Sequence, residues 1–114
     1  MNYTEPPYKP GTIVKEIELI DKATFVRVFD GVNSGQAGGW IMKAEDIVGL
    51  SPKQIQAKFA LPHTPTQVTD VVLEAGTKLR TGIVNPLFGQ SGGGIQFDLM
   101  GQRVGQFINA RPLN

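Results

Sequence analysis

The chain predicts an α+β domain built mostly on antiparallel sheet. Three observations lead there: about six short runs with strand alternation, one well-capped helix between the first pair of strands and the rest, and too few helices to carry parallel crossovers. Its 114 residues are enough for one domain with one sizeable core.

Taken in order, residues 1–11 hold three prolines and a glycine and read as a leader or linker, with Tyr3 and Tyr8 available to pack back. The domain proper is then 12–114. Ile13 to Ile20 alternates, with Glu16 and Glu18 on one face and Ile17 and Leu19 on the other. Phe25 to Phe29 is a second strand whose period of two puts Phe25, Arg27 and Phe29 on one face and Val26 and Val28 on the other. Residues 30–39 (DGVNSGQAGG) have the composition of a flexible loop, and Trp40, Ile41 and Met42 follow as a short apolar segment. A further helical turn fits Lys43 to Val48.

The helix begins at Ser51. Ser51 is its N-cap, Pro52 its first residue, Gln54 completes a capping box, and Leu50 with Ile55 stands in the places of a hydrophobic staple. Ile55 and Phe59 share a face at i, i+4, and Pro62 and Pro65 end the helix. Beyond it the chain reads as strands: Val68 to Glu74, closed by Ala75-Gly76; Lys78 to Val84; Ile95 to Leu99; and a last run from Val104 to Ile108.

Composition removes several functions. Eleven basic and ten acidic residues leave a formal net charge of +1, which argues against nucleic-acid binding by bulk charge. The absence of cysteine excludes disulfide scaffolds, zinc-thiolate sites and thiol nucleophiles. No apolar run approaches the length of a bilayer span, and the opening MNYTEPPYKPG is no signal peptide. A secretion signal is therefore expected outside this chain, as in a domain cut from something longer. His, Asp and Glu show no ligand spacing, so metal catalysis is not expected, and no P-loop, GxGxxG or GxSxG motif is present.

The chemistry-bearing candidates are few. Arg27 stands between two phenylalanines and needs an anionic partner, a cleft, or pairing with Glu16 or Glu18, because an unpaired buried charge is costly. The densest stretch is GIVNPLFGQSGGGIQF, Gly82 to Phe97. Its consecutive glycines Gly92, Gly93 and Gly94 suit a backbone that must be approached closely. They lead into Gln96, a polar side chain sharing a strand face with Asp98. His63, the single histidine, lies in a loop between prolines and is a general acid–base candidate. Lys78, Arg80 and Arg103, with Thr77 and Thr81, offer a basic patch that a metal-independent ribonuclease acting on tRNA would use to stabilise a phosphorane-like transition state. A solvated sheet face, or a non-enzymatic binding module whose glycine loop meets a protein, explains the same residues.

The pattern G-x-x-x-P-x-F-G-Q-x-G-G-G-x-Q-aromatic in Gly82–Phe97 resembles the TNT family of secreted NAD glycohydrolase toxins. The order also matches: arginine strand, Gly-rich loop, aromatic, helix ending in Leu61-Pro62, strands, glycine motif. The chain is similar, too, to the C-terminal toxin domains of contact-dependent inhibition proteins and filamentous haemagglutinins, notably over GGWIMKAEDIVGLSPKQIQAKFALP, which ends at Pro62. The TNT resemblance implies an ADP-ribosyltransferase-like split antiparallel sheet with one or two short helices, NAD as substrate and no metal. It implies that Arg27 contacts the pyrophosphate, that Trp40 packs on the nicotinamide side, and that Gln96 lies beside the scissile bond. Apart from the resemblance, Gly92, Gly93, Gly94 and Phe88 of the glycine motif and Arg80 and Thr81 of the basic patch are expected against the substrate, with His63 and Lys78 as further candidates. A toxin of this kind implies secretion within a larger effector, action in the target-cell cytoplasm, a cognate immunity protein, a host activating protein as a further partner, and no membrane partner.

Overall fold

The alternating runs form strands β1 (Lys15–Glu18), β2 (Ala23–Phe29), β3 (Trp40–Ile41), β4 (Gln67–Leu73), β5 (Lys78–Ile83), β6 (Ile95–Asp98) and β7 (Gln106–Pro112), with helix α1 (Pro52–Lys58) and a 3₁₀ turn at Ala44–Asp46. The structure is a computed structural model that describes residues 14–85 and 89–113. The leader at 1–11 and Phe88 lie outside the described residues. All strand pairs are antiparallel, in two sheets of order β1-β5-β6-β3 and β2-β4-β7. Between the sheets, Val26 and Met42 exchange both backbone hydrogen bonds at 2.9 Å. This is the mostly antiparallel arrangement, split into two sheets, that the sequence leads one to expect.

Two apolar clusters hold it together. Phe25, Val71 and Leu73 of one sheet meet Ile41, Leu79, Phe97 and Leu99 of the other, and the Phe25 and Phe97 rings lie 5.0 Å apart, tilted at 57°. On the opposite side of β2, Val26, Val28 and Val68 pack with Met42, Val84, Ile55 and Phe59. A seven-residue helix has little stability of its own. Ile55 and Phe59, both buried, tether α1 with about 1.5–3 kcal/mol each. Its start is built as the sequence implies: the Ser51 hydroxyl accepts from Gln54 N, the Gln54 side chain accepts from Ser51 N, and Pro52 follows.

Three details depart from the expected pattern. Trp40–Ile41 is a strand, because it pairs with Asp98 and Phe97 of β6. The last strand begins later than Val104. Gly105 adopts φ +95° and packs where a Cβ would meet Leu73 Cδ2 at 2.7 Å, so the chain turns there before pairing. Pro112 is tolerated at the end of β7, an edge strand that needs no outer ladder. Finally, loop 30–39 is pinned despite its composition: the Asp30 carboxylate accepts from the backbone N–H of Val32, Asn33 and Ser34 at 2.8–2.9 Å, and Gln36 bonds across to β4 and β7.

Candidate active site

Arg27 emerges from the β2 face that also carries Phe25 and Phe29, and its head is drawn under loop 30–39. Its Nε donates to the Gly35 carbonyl at 3.1 Å and its Nη1 to the Trp40 carbonyl at 3.2 Å. Gly38 lies close against the guanidinium. Burial pulls the guanidinium below its ordinary value, although an arginine stays charged at any working pH. Among the described residues Arg27 has no ion pair. Glu16 and Glu18, the partners the sequence offers, stand instead opposite Arg80 and Lys78 across β5. A partly buried cation is thus satisfied by two neutral carbonyls and keeps donors for a further ligand.

The loop over Arg27 owes its shape to Asp30. Hydrogen bonds from the Asn33 side chain and from the backbone of Val32, Ser34 and Asn33 hold its carboxyl well below the usual carboxylate range. The turn closes with Gly31 N donating to the Ser34 carbonyl at 2.9 Å, with Gly31 at φ +79°.

Gln96 lies on the other side of its sheet. Phe97 points into the core against Phe25, so strand alternation turns Gln96 away from that core, together with Asp98. Across the ladder the same face carries Gly82 and Arg80 on β5 and Trp40 on β3. Gln96 is 5% exposed. Its carboxamide has no hydrogen-bond partner among the described residues, yet no fully buried side-chain polar atom there is left unsatisfied. The amide therefore ends at a narrow opening to solvent. Gln96 and Trp40 share this face. Arg27 points to the opposite side and joins them through the Trp40 carbonyl.

The glycine run has a partner inside the chain. Gly92 N donates to the Ala57 carbonyl at 2.8 Å and Gly94 N to the Lys58 carbonyl at 2.9 Å, while Gly93 N donates to the Val84 carbonyl at 3.0 Å. Two of these acceptors belong to the last turn of α1, whose carbonyls lack intrahelical donors. A Cβ at Gly94 would sit 2.9 Å from Lys58 O and 2.9 Å from Phe59 Cε1, and one at Gly92 would sit 2.8 Å from Val84 O. Close backbone approach is what the sequence demanded, and the approaching group is the helix end. The run caps α1 and sets where β6, and hence Gln96, begins.

The other candidates do not converge. Arg80 is committed to Asp98, with Nη2 at 2.8 Å and Nε at 2.9 Å from Oδ2. Asp98 is buried and also accepts from Met100 N. Thr81 alternates to the opposite face, where its hydroxyl donates to the Gln96 carbonyl at 3.0 Å. Lys78 and His63 are exposed, on β5 and on the loop after α1 respectively. Among the described residues no group of three His, Asp or Glu side chains is placed to hold a metal ion, and no helix is long and apolar enough to cross a membrane. Three residues that shape this region carry no distinctive signal in the sequence. Gly38 and Gln36 are hidden in a loop of low complexity, and Thr69 looks like any β-branched strand residue. Asp98 as Arg80's partner was within reach, since both lie on one face of adjacent strands.

No protein-family model matches the chain, and no curated protein matches it. Among solved structures, that of Tne2 in complex with Tni2 is similar at a TM-score of 0.75, with 19% sequence identity, over 93% of this chain and 97% of the other. At that identity the likeness establishes a shared fold.

Proposed function

We propose that this domain is an interbacterial toxin that hydrolyses NAD, or transfers ADP-ribose from it. The observation that carries the reading is the nearly buried Gln96 carboxamide, which has no hydrogen-bond partner among the described residues and shares its face with Trp40, whose carbonyl in turn holds an Arg27 guanidinium that has no carboxylate partner. The glycine motif that precedes Gln96 and the fold shared with Tne2 support it.

In the hydrolysis, the bond between nicotinamide nitrogen and ribose C1′ breaks, nicotinamide leaves with the bonding pair, and water adds to C1′ and loses its proton. The ribose passes through an oxocarbenium-like state, so the protein's task is to bind, orient and stabilise charge. Trp40 gives the nicotinamide an aromatic face. The Gln96 carbonyl oxygen turns a partial negative charge toward the cationic ribose or accepts from the attacking water. Arg27 balances the pyrophosphate with the donors left free by Gly35 and Trp40. The glycine run fixes the start of β6 rather than cradling phosphate, since its amides are already engaged.

Tne2 is held in a complex with Tni2, and by analogy this domain takes a cognate immunity protein that closes the Gln96 opening in the producing cell. The toxin itself travels within a secreted effector and acts in the target cytoplasm. The test is to express the chain in the bacterial cytosol and measure nucleotide pools and RNA together. NAD loss with intact tRNA supports the reading. Discrete tRNA fragments with unchanged NAD would transfer the function to a ribonuclease.

A further inference from the structure

The face of β2 and β4 that carries Phe25, Phe29 and Val71 has Gln67 at one end, opposite Phe29, and within its apolar stretch Arg27 stands directly opposite Thr69. The same place is the one irregularity in the neighbouring ladder. Asp70 pairs with Ile108 and Val68 with Arg111, so Asn109 and Ala110 together face Thr69, a bulge with Asn109 at φ 59°. A bulge leaves backbone carbonyls without ladder partners. Here side chains supply them: Thr69 Oγ1 donates to Ile108 O at 2.8 Å, and Gln36 Nε2 donates to Phe107 O at 3.0 Å and to Thr69 Oγ1 at 3.1 Å. Thr69 is fully buried.

Gln36 follows Gly35, whose carbonyl accepts from Arg27 Nε. Two successive loop residues therefore connect the guanidinium to the sheet. Gly35 grips the guanidinium, and Gln36 nails the grip to the sheet through Thr69. We infer that Gln36 and Thr69 are positioning residues that hold the Arg27 guanidinium fixed for an anionic ligand, acting through the Gly35 carbonyl. The inference rests on the proposed function in taking that ligand to be the pyrophosphate of NAD. Neither residue touches the substrate. Without the latch, the Gly35 carbonyl is no longer held and Arg27 gains rotamer freedom that ligand binding must remove again. The cost falls on binding and leaves the chemical step alone.

The test uses the full chain as wild type, Gln36→Ala, Thr69→Val and Thr69→Ser. Serine keeps the hydroxyl and valine keeps the shape, so a purely packing role would show the reverse order. NMR exchange of the Arg27 Nε–H with water reads the latch with no substrate present. It should speed at least about tenfold in Gln36→Ala and Thr69→Val, as for a lost hydrogen bond, and stay near wild type in Thr69→Ser. Steady-state kinetics with NAD should show KM raised about fivefold in the first two variants, with kcat within about twofold. Unchanged exchange, or faster exchange with unchanged KM, overturns the inference while leaving NAD hydrolysis standing. If the wild type turns over no NAD, the functional reading fails, and the latch is judged on inorganic pyrophosphate. Weaker pyrophosphate binding in Gln36→Ala and Thr69→Val than in Thr69→Ser upholds it. Equal binding in all four, or none in the wild type, overturns it.

Discussion

Gly38 lies against the guanidinium of Arg27 so closely that a Cβ there would stand 2.5 Å from Nη2 and 2.7 Å from Nε. The atoms in the way are the tip of a flexible side chain, and they can move. Gly38→Ala is therefore expected to cost little stability, within about 0.5–1 kcal/mol, while swinging Arg27 off the Gly35 and Trp40 carbonyls. NAD turnover should fall at least about tenfold at sub-saturating substrate, in step with Arg27→Ala. A melting curve beside the kinetic assay separates the two effects.

The glycine run makes the opposite case. At Gly94 an added methyl meets the Lys58 carbonyl and the Phe59 ring, atoms fixed by helix and core. Gly94→Ala should lose about 2–3 kcal/mol, as for overpacking. Gly93, at φ +93°, faces open space, and Gly93→Ala should cost only the left-handed backbone term of about 1–2 kcal/mol. Urea unfolding midpoints of the two variants check the order. A larger loss at Gly93 would mean that the run does not cap α1.

Loop 30–39 carries a pH signature. The folded state depresses the Asp30 carboxyl, so its contribution is fully present above the ordinary carboxylate value and is lost as pH falls below that value toward the folded one. The difference in urea midpoint between wild type and Asp30→Ala should be constant from about pH 7 to pH 5 and shrink in more acidic solution. A difference that grows on acidification would contradict the turn.

Much of this architecture was legible in the residues. Ser51, Pro52 and Gln54 marked the helix because capping is local chemistry, and the alternation of Phe25 to Phe29 and Lys78 to Val84 set the strand faces because period two is local as well. What escaped was set by distant contacts. Trp40–Ile41 is a strand because β6 lies beside it. The 30–39 loop is firm because Asp30 and Gln36 find backbone partners that composition does not reveal. The three glycines announced a close approach correctly, but only the fold shows that the approaching group is the end of α1. Phe88 lies outside the described residues, and its expected place against the substrate remains a proposal. Arg27 and Gln96, both expected against the substrate, point to opposite sides and are linked through Trp40, a relation that depends on how the two sheets join at Val26 and Met42.

On the proposed reading the Gln96 carboxamide serves NAD cleavage. The direct measurement is release of nicotinamide from NAD by the purified chain and by Gln96→Ala, with circular dichroism and melting temperature compared in parallel. Steady release by the wild type is expected, with a loss of about a hundredfold or more in Gln96→Ala and the fold intact, the scale expected when a transition-state contact is removed. A wild-type chain that leaves NAD undiminished, or a Gln96→Ala chain that cleaves it as fast, would contradict it.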